Sequence, residues 1–232
     1  MLKRLADWII VLTLPIVLLM MASRLVMTPA FLTFEYTRAG FPSDPYGFTV
    51  EDRLRYGPLG LQYLLERRPI SFLADQLLPG DRCFPPQAVE CPMFNERELQ
   101  HMVDVQNVTW MLFVVAGAAG ALCVIAIGLL WQDRSRLLVA VEVASITLII
   151  AVLTIATAVV FAWDVFFDTF HALFFEDGTW RFFYSDTLIR LYPEQFWMDA
   201  AIATGALSVI FALVVLAFAR WYRGRARRQG ET

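Results

Sequence analysis

Hydrophobic positions along this chain gather into four long runs, not into the period-two alternation of strands or the narrow stripe of soluble helices. The runs are Trp8 to Met27, Val108 to Trp131, Leu137 to Trp163 and Asp199 to Ala219. Each reaches the roughly 20 residues that a helix rising about 1.5 Å per residue needs to cross a bilayer core. A helix that is apolar all round must be buried or face lipid. The pattern therefore predicts an all-α membrane protein with four transmembrane helices, divided as follows. Residues 1–27 are a cytoplasmic N-terminus and first span, 28–107 a mainly helical extracytoplasmic cap, 108–131 the second span and 132–136 a cytoplasmic turn. Residues 137–163 are the third span, 164–198 an extracytoplasmic aromatic loop, 199–219 the fourth span and 220–232 a basic cytoplasmic tail. The first run follows Lys3 and Arg4, as a secretory signal would. Its uncharged core is long and Ala22-Ser23-Arg24 is a poor cleavage site, so it is expected to stay as a span.

Charge sets the expected orientation. Lys3, Arg4, Arg134, Arg136, Arg220, Arg223, Arg225, Arg227 and Arg228 all flank the same ends of the runs, which predicts that this side is cytoplasmic and that both large loops face out. Hydrophobic residues make up 58% of the chain and charged residues 18%, against roughly 50% and 25% in soluble domains, so lipid is the expected solvent. A net charge of -3 and the lack of a basic patch interleaved with aromatics set nucleic acid aside as a partner. Cys83 and Cys91 fall in the first outward loop and bracket Pro85-Pro86. In an oxidising compartment such a pair is expected to close a short disulfide, with two free thiols as the alternative because one pair carries no spacing signature. Cys123, within the second span, reads as packing.

The outward loops carry local signals. Thr49-Val50-Glu51-Asp52 is a capping box opening a helix, which Gly57-Pro58 is expected to interrupt before Leu61 to Arg67 resumes it. Asn95-Glu96-Arg97-Glu98 repeats the box, and a helix begun at Glu96 is expected to continue into the second span. Capped helices and a disulfide in so long a loop predict a folded cap rather than a linker. Ala116, Gly117, Gly120, Ala121 and Gly128 allow close backbone approach, which would place the second span in the middle of the bundle.

The candidate chemistry lies in the chain's two histidines. His101 precedes the second span by a turn or two and His171 follows the third by as much, both on the outward side. Imidazole titrates near physiological pH, so a paired acid-base site at the membrane surface is one reading; headgroup-level anchoring of two amphipathic side chains is the other. Asp104 is three residues after His101, and Asp168 and Asp164 are three and seven before His171, so these carboxylates can share a helical face with the imidazoles and orient them. Two His and two Asp also make a ligand set for zinc or manganese, but no dense motif such as HExxH accompanies them, and no metal or other cofactor is expected. Around His171 the aromatics are dense. Some belong to an interfacial belt; Phe170, Phe174, Trp180 and Phe182 are candidate walls of a pocket for a lipid-like substrate.

The blocks Phe94-Asn95-Glu96-Arg97-Glu98-Leu99-Gln100-His101-Met102-Val103-Asp104-Val105 and Phe170-His171-Ala172-Leu173-Phe174-Phe175 resemble the lipoprotein intramolecular transacylase family. So do Trp180-Arg181-Phe182, Asp186-Thr187-Leu188-Ile189 and Pro193-Glu194-Gln195-Phe196, with Tyr46 to Leu54 as a weaker block. The resemblance implies four inner-membrane helices beneath an extracytoplasmic cap, with two catalytic histidines that map onto His101 and His171. It implies a diacylated lipoprotein substrate and membrane lipid as partners, and transfer of the substrate's sn-2 acyl chain to the α-amine of its N-terminal cysteine. Arg53 and Asp186 become supporting candidates because they stand in matching blocks. From the residues alone, a metal-dependent membrane hydrolase and a non-enzymatic membrane component stay open beside it.

Overall fold

The computed structural model describes residues 1–229; Gly230, Glu231 and Thr232 of the basic tail lie outside the described residues, as do the side chains of Arg227 and Arg228. In chain order the elements are α1 (Leu2–Val26), α2 (Pro29–Thr37), α3 (Val50–Glu66), α4 (Ser71–Ala74), β1 (Leu77–Leu78), β2 (Cys91–Pro92), α5 (Glu96–Leu130), α6 (Arg134–Phe161), α7 (Trp163–Phe174), α8 (Thr187–Leu191) and α9 (Glu194–Gln229). A 3-10 turn spans Gly80–Arg82. Among the described residues four helices are long and apolar enough to cross a membrane: α1, α5, α6 and α9. The chain folds as two compact units, one of Met1–Val26, Leu112–Ala162 and the residues from Ala201 onward, the other of Met27–Met111 and Trp163–Ala200.

In the first unit, small residues bring the helices together. Ala6 and Ile10 of α1 pack on Ala126 and Leu130 of α5 and on Leu137, Ala140 and Ala144 of α6. Further along, Leu18 of α1, Leu148 of α6 and Ala212 of α9 form a second cluster. Van der Waals fit between such faces, not water exclusion, is what drives association of helices in lipid. Helix α5 buries a single seam, Ala116, Ala119, Cys123, Ala126 and Leu130, at alternating spacings of three and four. Of the small residues expected to let the second span approach its neighbours closely, Ala116 lies in this seam and Ala121 is exposed. Gly117 and Gly128 meet nothing within 4 Å, and a Cβ at Gly120 would only touch Val17 at 3.8 Å. The outward faces stay apolar, with Val124 69%, Ile150 61% and Val214 62% exposed, which suits a lipid solvent and not water. Charged groups collect at one end. Lys3 pairs with Asp133 at 2.9 Å, Arg136 with Asp7 at 2.5 to 2.9 Å and Arg223 with Glu142 at 2.7 Å, and Arg134 donates to the Tyr222 hydroxyl.

The second unit has its own core of Phe48, Tyr56, Tyr63, Leu73, Leu78, Met93, Phe94, Met102, Leu188 and Leu191 around the buried Cys83. Cys83 and Cys91 are joined as a disulfide. β1 and β2 pair antiparallel, Leu77 opposite Pro92 and Leu78 opposite Cys91. Helix α3 opens on the capping box, Thr49 accepting from the Asp52 amide and Asp52 from the Thr49 amide. Pro58 lies inside α3 and does not break it, correcting the interruption expected at Gly57-Pro58. The reason is tertiary: Tyr192 donates its hydroxyl to the Gly57 carbonyl, and the Tyr36 and Tyr192 rings lie so close to Gly57 and Gly60 that a Cβ there would meet their hydroxyls at 2.6 and 2.5 Å. Packing against both rings outweighs the one backbone bond that proline removes.

Two buried arginines tie the segments of this unit. Arg190 of α8 donates to Asp44 at 3.0 Å and to the Arg82 and Tyr46 carbonyls at 3.0 and 3.1 Å, with its guanidinium 3.5 Å from the Phe48 ring centroid. Arg53 donates to the Arg190 and Pro42 carbonyls at 2.8 and 2.5 Å.

Candidate functional site

His101 sits in the second turn of α5, ahead of the uncharged run that follows Asp104. His171 sits near the end of α7, a separate helix that begins where α6 stops at Ala162. Across 70 residues of sequence the two rings lie 6.4 Å apart between centroids and nearly parallel, at 24°. The 35-residue α5 starts at Glu96 as expected, because Asn95 accepts from the Glu98 amide at 3.0 Å and Glu98 accepts from the Asn95 amide at 2.8 Å.

Aromatic rings enclose the pair. His101 meets Phe175 and Phe182 edge-on at 5.0 and 5.3 Å, and His171 meets Phe167, Trp180, Phe175 and Phe170 at 4.0, 4.8, 5.6 and 5.7 Å. Phe174 is one ring removed, touching Phe170 and Phe175. Three of the four expected walls, Phe170, Trp180 and Phe182, therefore touch an imidazole. Phe167 and Phe175 join them without having been singled out. The signal for both was helical spacing, since they lie four residues either side of His171.

The imidazole nitrogens are not equivalent. His171 Nδ1 lies 2.8 Å from the Phe167 carbonyl. A carbonyl only accepts, so this bond needs a proton on Nδ1 and leaves the lone pair of the neutral ring on Nε2. His101 Nδ1 and Trp180 Nε1 are buried and take no partner from the protein. Burial pushes the His101 pKa down to about 4, with His171 as a smaller contribution. The His171 pKa is also lowered by burial, against the opposing effects of the Phe167 carbonyl and Asp168. Both rings are held neutral at pH 7 and are bases, not acids, in the resting site.

The carboxylates are arranged differently from the spacing argument. Asp168 pairs with Arg181 at 3.6 Å and is largely exposed, and Asp104 accepts from Gln100 at 3.2 Å; a backbone carbonyl orients His171 in their stead. Asp164 is exposed. Arg53 serves the frame described above. Asp186 accepts from the Phe183 amide at 2.9 Å, from Asn95 at 3.2 Å and from Arg97 at 3.3 Å, fastening the segment that carries Trp180 and Phe182 to the start of α5. Among the described residues no three His, Cys, Asp or Glu side chains form a group able to hold a metal ion.

The sequence marks Glu98 only as a cap. Its side chain is 1% exposed, and it also accepts from the Leu188 amide at 2.7 Å. Burial raises its pKa to about 7 despite both amide bonds. Glu98 and His101 therefore act on stability with opposite signs. The lowered His101 pKa contributes stability that is complete above the unfolded value of about 6.5 and is lost as pH falls toward about 4. The raised Glu98 pKa contributes stability at low pH that is lost as pH rises through 4.5 to about 7. Comparing wild type with His101→Gln removes the shared Glu98 effect. The melting-temperature advantage of wild type over His101→Gln should shrink as pH is lowered from 6.5 to about 4, and a pH-independent difference would contradict the burial-driven shift.

Comparison with known proteins agrees with this architecture. The sequence model of the lipoprotein intramolecular transacylase Lit family matches residues 8–197. An uncharacterised protein of Aquifex aeolicus (strain VF5) is 28% identical over 215 residues, covering 92% of this chain and 93% of that protein. The in meso structure of the membrane-integral lipoprotein intramolecular transacylase Lit from Bacillus cereus superposes with a TM-score of 0.79 at 19% identity, over 97% of this chain and 98% of that one. The same protein with one histidine replaced by arginine matches at a TM-score of 0.75 and 19% identity, over 98% and 94% of the two chains. The structural likeness carries the fold, four apolar helices included, and the family match covers both histidines and every aromatic ring around them: this multi-pass membrane protein belongs to the lipoprotein intramolecular transacylase Lit family.

Proposed function

We propose that this transacylase moves the sn-2 acyl chain of a diacylglyceryl-modified lipoprotein to the α-amine of its N-terminal cysteine, and that His101 and His171 carry the reaction. The observation that supports this most is the pair of neutral imidazoles 6.4 Å apart inside an aromatic enclosure. His171 Nε2 takes a proton from the amine as its nitrogen attacks the ester carbonyl carbon. That attack forms the C–N bond and a tetrahedral carbon; on its collapse the bond to the glyceryl oxygen breaks, the carbonyl re-forms as an amide, and the leaving oxygen takes the proton from His171. His101 Nδ1 and the Trp180 N–H, which the protein leaves unbonded, are the groups to which the ester and its developing oxyanion turn. In the tautomer that carries a proton on Nδ1, His101 donates alongside Trp180.

Amine and ester belong to one molecule, so holding them in contact replaces a bimolecular encounter, and no serine or cysteine nucleophile is needed. An α-amine ionises near pH 8, close enough to working pH that a fraction of it is already the neutral nucleophile, and the proton it sheds on attack passes to His171, whose lowered pKa keeps the ring in its free-base form. Asp186 and Arg53 hold the frame around this site, and Asp168 raises the basicity of His171 through space. A metal-dependent hydrolase would need a ligand cluster beyond the two imidazoles.

Mass spectrometry of a lipoprotein N-terminus from cells with and without this protein tests the reading. An N-acylated, lyso-form cysteine should occur only when the protein is present, and purified enzyme should make it from diacylated substrate with chelator added. An unchanged N-terminus, or loss of activity with chelator, would overturn it.

The site is assigned to the extracytoplasmic face of the bacterial cytoplasmic membrane, with both termini inside, because the basic residues at the opposite helix ends obey the positive-inside rule. A reporter active only outside the membrane should work when fused within residues 28–107 and fail after Gly230, a position outside the described residues. The reverse pattern would move both histidines to the cytoplasm.

A further inference from the structure

The second unit contains a cleft of about 530 Å³ that the two-histidine chemistry does not use. One wall is the disulfide-closed loop, through Phe84 and Gln87; the facing wall is the start of α5, through Asn95 and Glu96, and the end of the α7–α8 connection, through Ser185 and Asp186. We infer that this cleft takes the polypeptide of the lipoprotein substrate just beyond its acylated cysteine, an inference that rests on the transacylase reading.

The cleft is built, not incidental. The disulfide closes its outer wall, and the Gln87 amide donates back to the Gly80 carbonyl at 2.9 Å, holding the loop tip in place. The opposite wall is fastened by Asp186 to Asn95 and Arg97, and by Glu98 to the Leu188 amide.

That wall is shared with the histidine site. Glu98 lies in the cleft and His101 follows it by three residues, about 4.5 Å along α5. Ser185 lies in the cleft and Phe182, against His101, precedes it by three residues, across a turn closed by the Asp186 amide donating to the Phe183 carbonyl at 3.0 Å. A substrate with its cysteine at His171 would therefore bring roughly its third to fifth residue to this level.

The lining suits polypeptide. Amide and hydroxyl groups of Gln87, Asn95 and Ser185 can bond a main chain, beside the apolar Phe84 face. Its charged groups are the carboxyls of Glu96, of Glu98, which two amides engage, and of Asp186, which Arg97 engages, and the guanidinium of Arg190, which Asp44 and two carbonyls engage. With its lining cation already engaged, such a surface offers no free guanidinium to a phosphate headgroup and suits a neutral or basic peptide better.

Two variants fill the cleft without touching the aromatic enclosure: Gln87→Trp on the exposed loop and Ser185→Trp on the opposite wall. The expected result is a loss of about tenfold or more in kcat/KM, carried by KM, on a diacylated lipopeptide of ten residues. On diacylglyceryl-cysteine bearing a single following residue, both variants should match wild type within about twofold. Equal losses on both substrates, or none on either, would overturn the inference. If Ser185→Trp does not fold, Gln87→Trp decides alone. Wild type inactive on both substrates would instead refute the transacylase reading. In that event the photoreactive amino acid p-benzoyl-phenylalanine in place of Gln87 judges the cleft separately: crosslinking to the ten-residue lipopeptide supports it, and no crosslink refutes it.

Discussion

Replacing either His101 or His171 by glutamine should lower turnover by about a hundredfold or more, and replacing both should cost far less than the product of the two losses. Glutamine keeps a polar group of similar reach, so a ring that only anchors the chain at headgroup level would be replaced almost silently. A proton acceptor would not be, because an amide has no basic nitrogen. The geometry refines the expectation for His171. Glutamine there cannot reproduce the lone pair that the Phe167 carbonyl keeps on Nε2, so the loss should fall on kcat with KM little changed. The His101 side chain is 9% exposed in its second turn of α5, and its removal should also loosen the contact with Phe175 and Phe182. The assay is sn-2 acyl transfer by purified enzyme with chelator present, on preparations with equal membrane insertion. Full activity in either single variant would refute the paired-histidine mechanism.

The Arg190→Met variant should lose about 3–5 kcal/mol of stability, the cost of stranding a buried charge when its partner is removed. The Arg190 and Asp44 side chains are 1% and 2% exposed. Three acceptors and the Phe48 ring surround the guanidinium, and methionine can replace only the contact with the ring. Asp44 would still accept from the Phe48 amide at 2.7 Å, too little to compensate a buried carboxylate. Adding Asp44→Asn should recover part of the loss by removing the stranded charge. The readout is thermal unfolding in detergent. A melting temperature equal to wild type would mean that water reaches Asp44, and a double variant no better than Arg190→Met would mean that lost packing, not charge, dominates.

What the sequence determined by itself was whatever depends on near neighbours. Four apolar runs specify spanning helices because a chain in lipid must satisfy its backbone within each helix, which requires nothing from the rest of the molecule. The capping boxes at Thr49 and Asn95 were legible for the same reason: donor and acceptor lie three residues apart. The two histidines and the matching blocks around them pointed to a site and a family. Local reasoning failed where a distant group competes. Pro58 reads as a break until the Tyr192 hydroxyl and the packed rings of Tyr36 and Tyr192 are known. Asp168 reads as the partner of His171, but Arg181 engages it while the backbone of Phe167 holds the imidazole. Glu98 reads as a cap, and only the tertiary structure brings the Leu188 amide, 90 residues away, to its second oxygen. The tertiary structure alone decided how closely the histidines approach, which rings enclose them and which buried charges are paired. Each of these depends on segments far apart in sequence meeting in a desolvated space, where burial and geometry set protonation and partner choice.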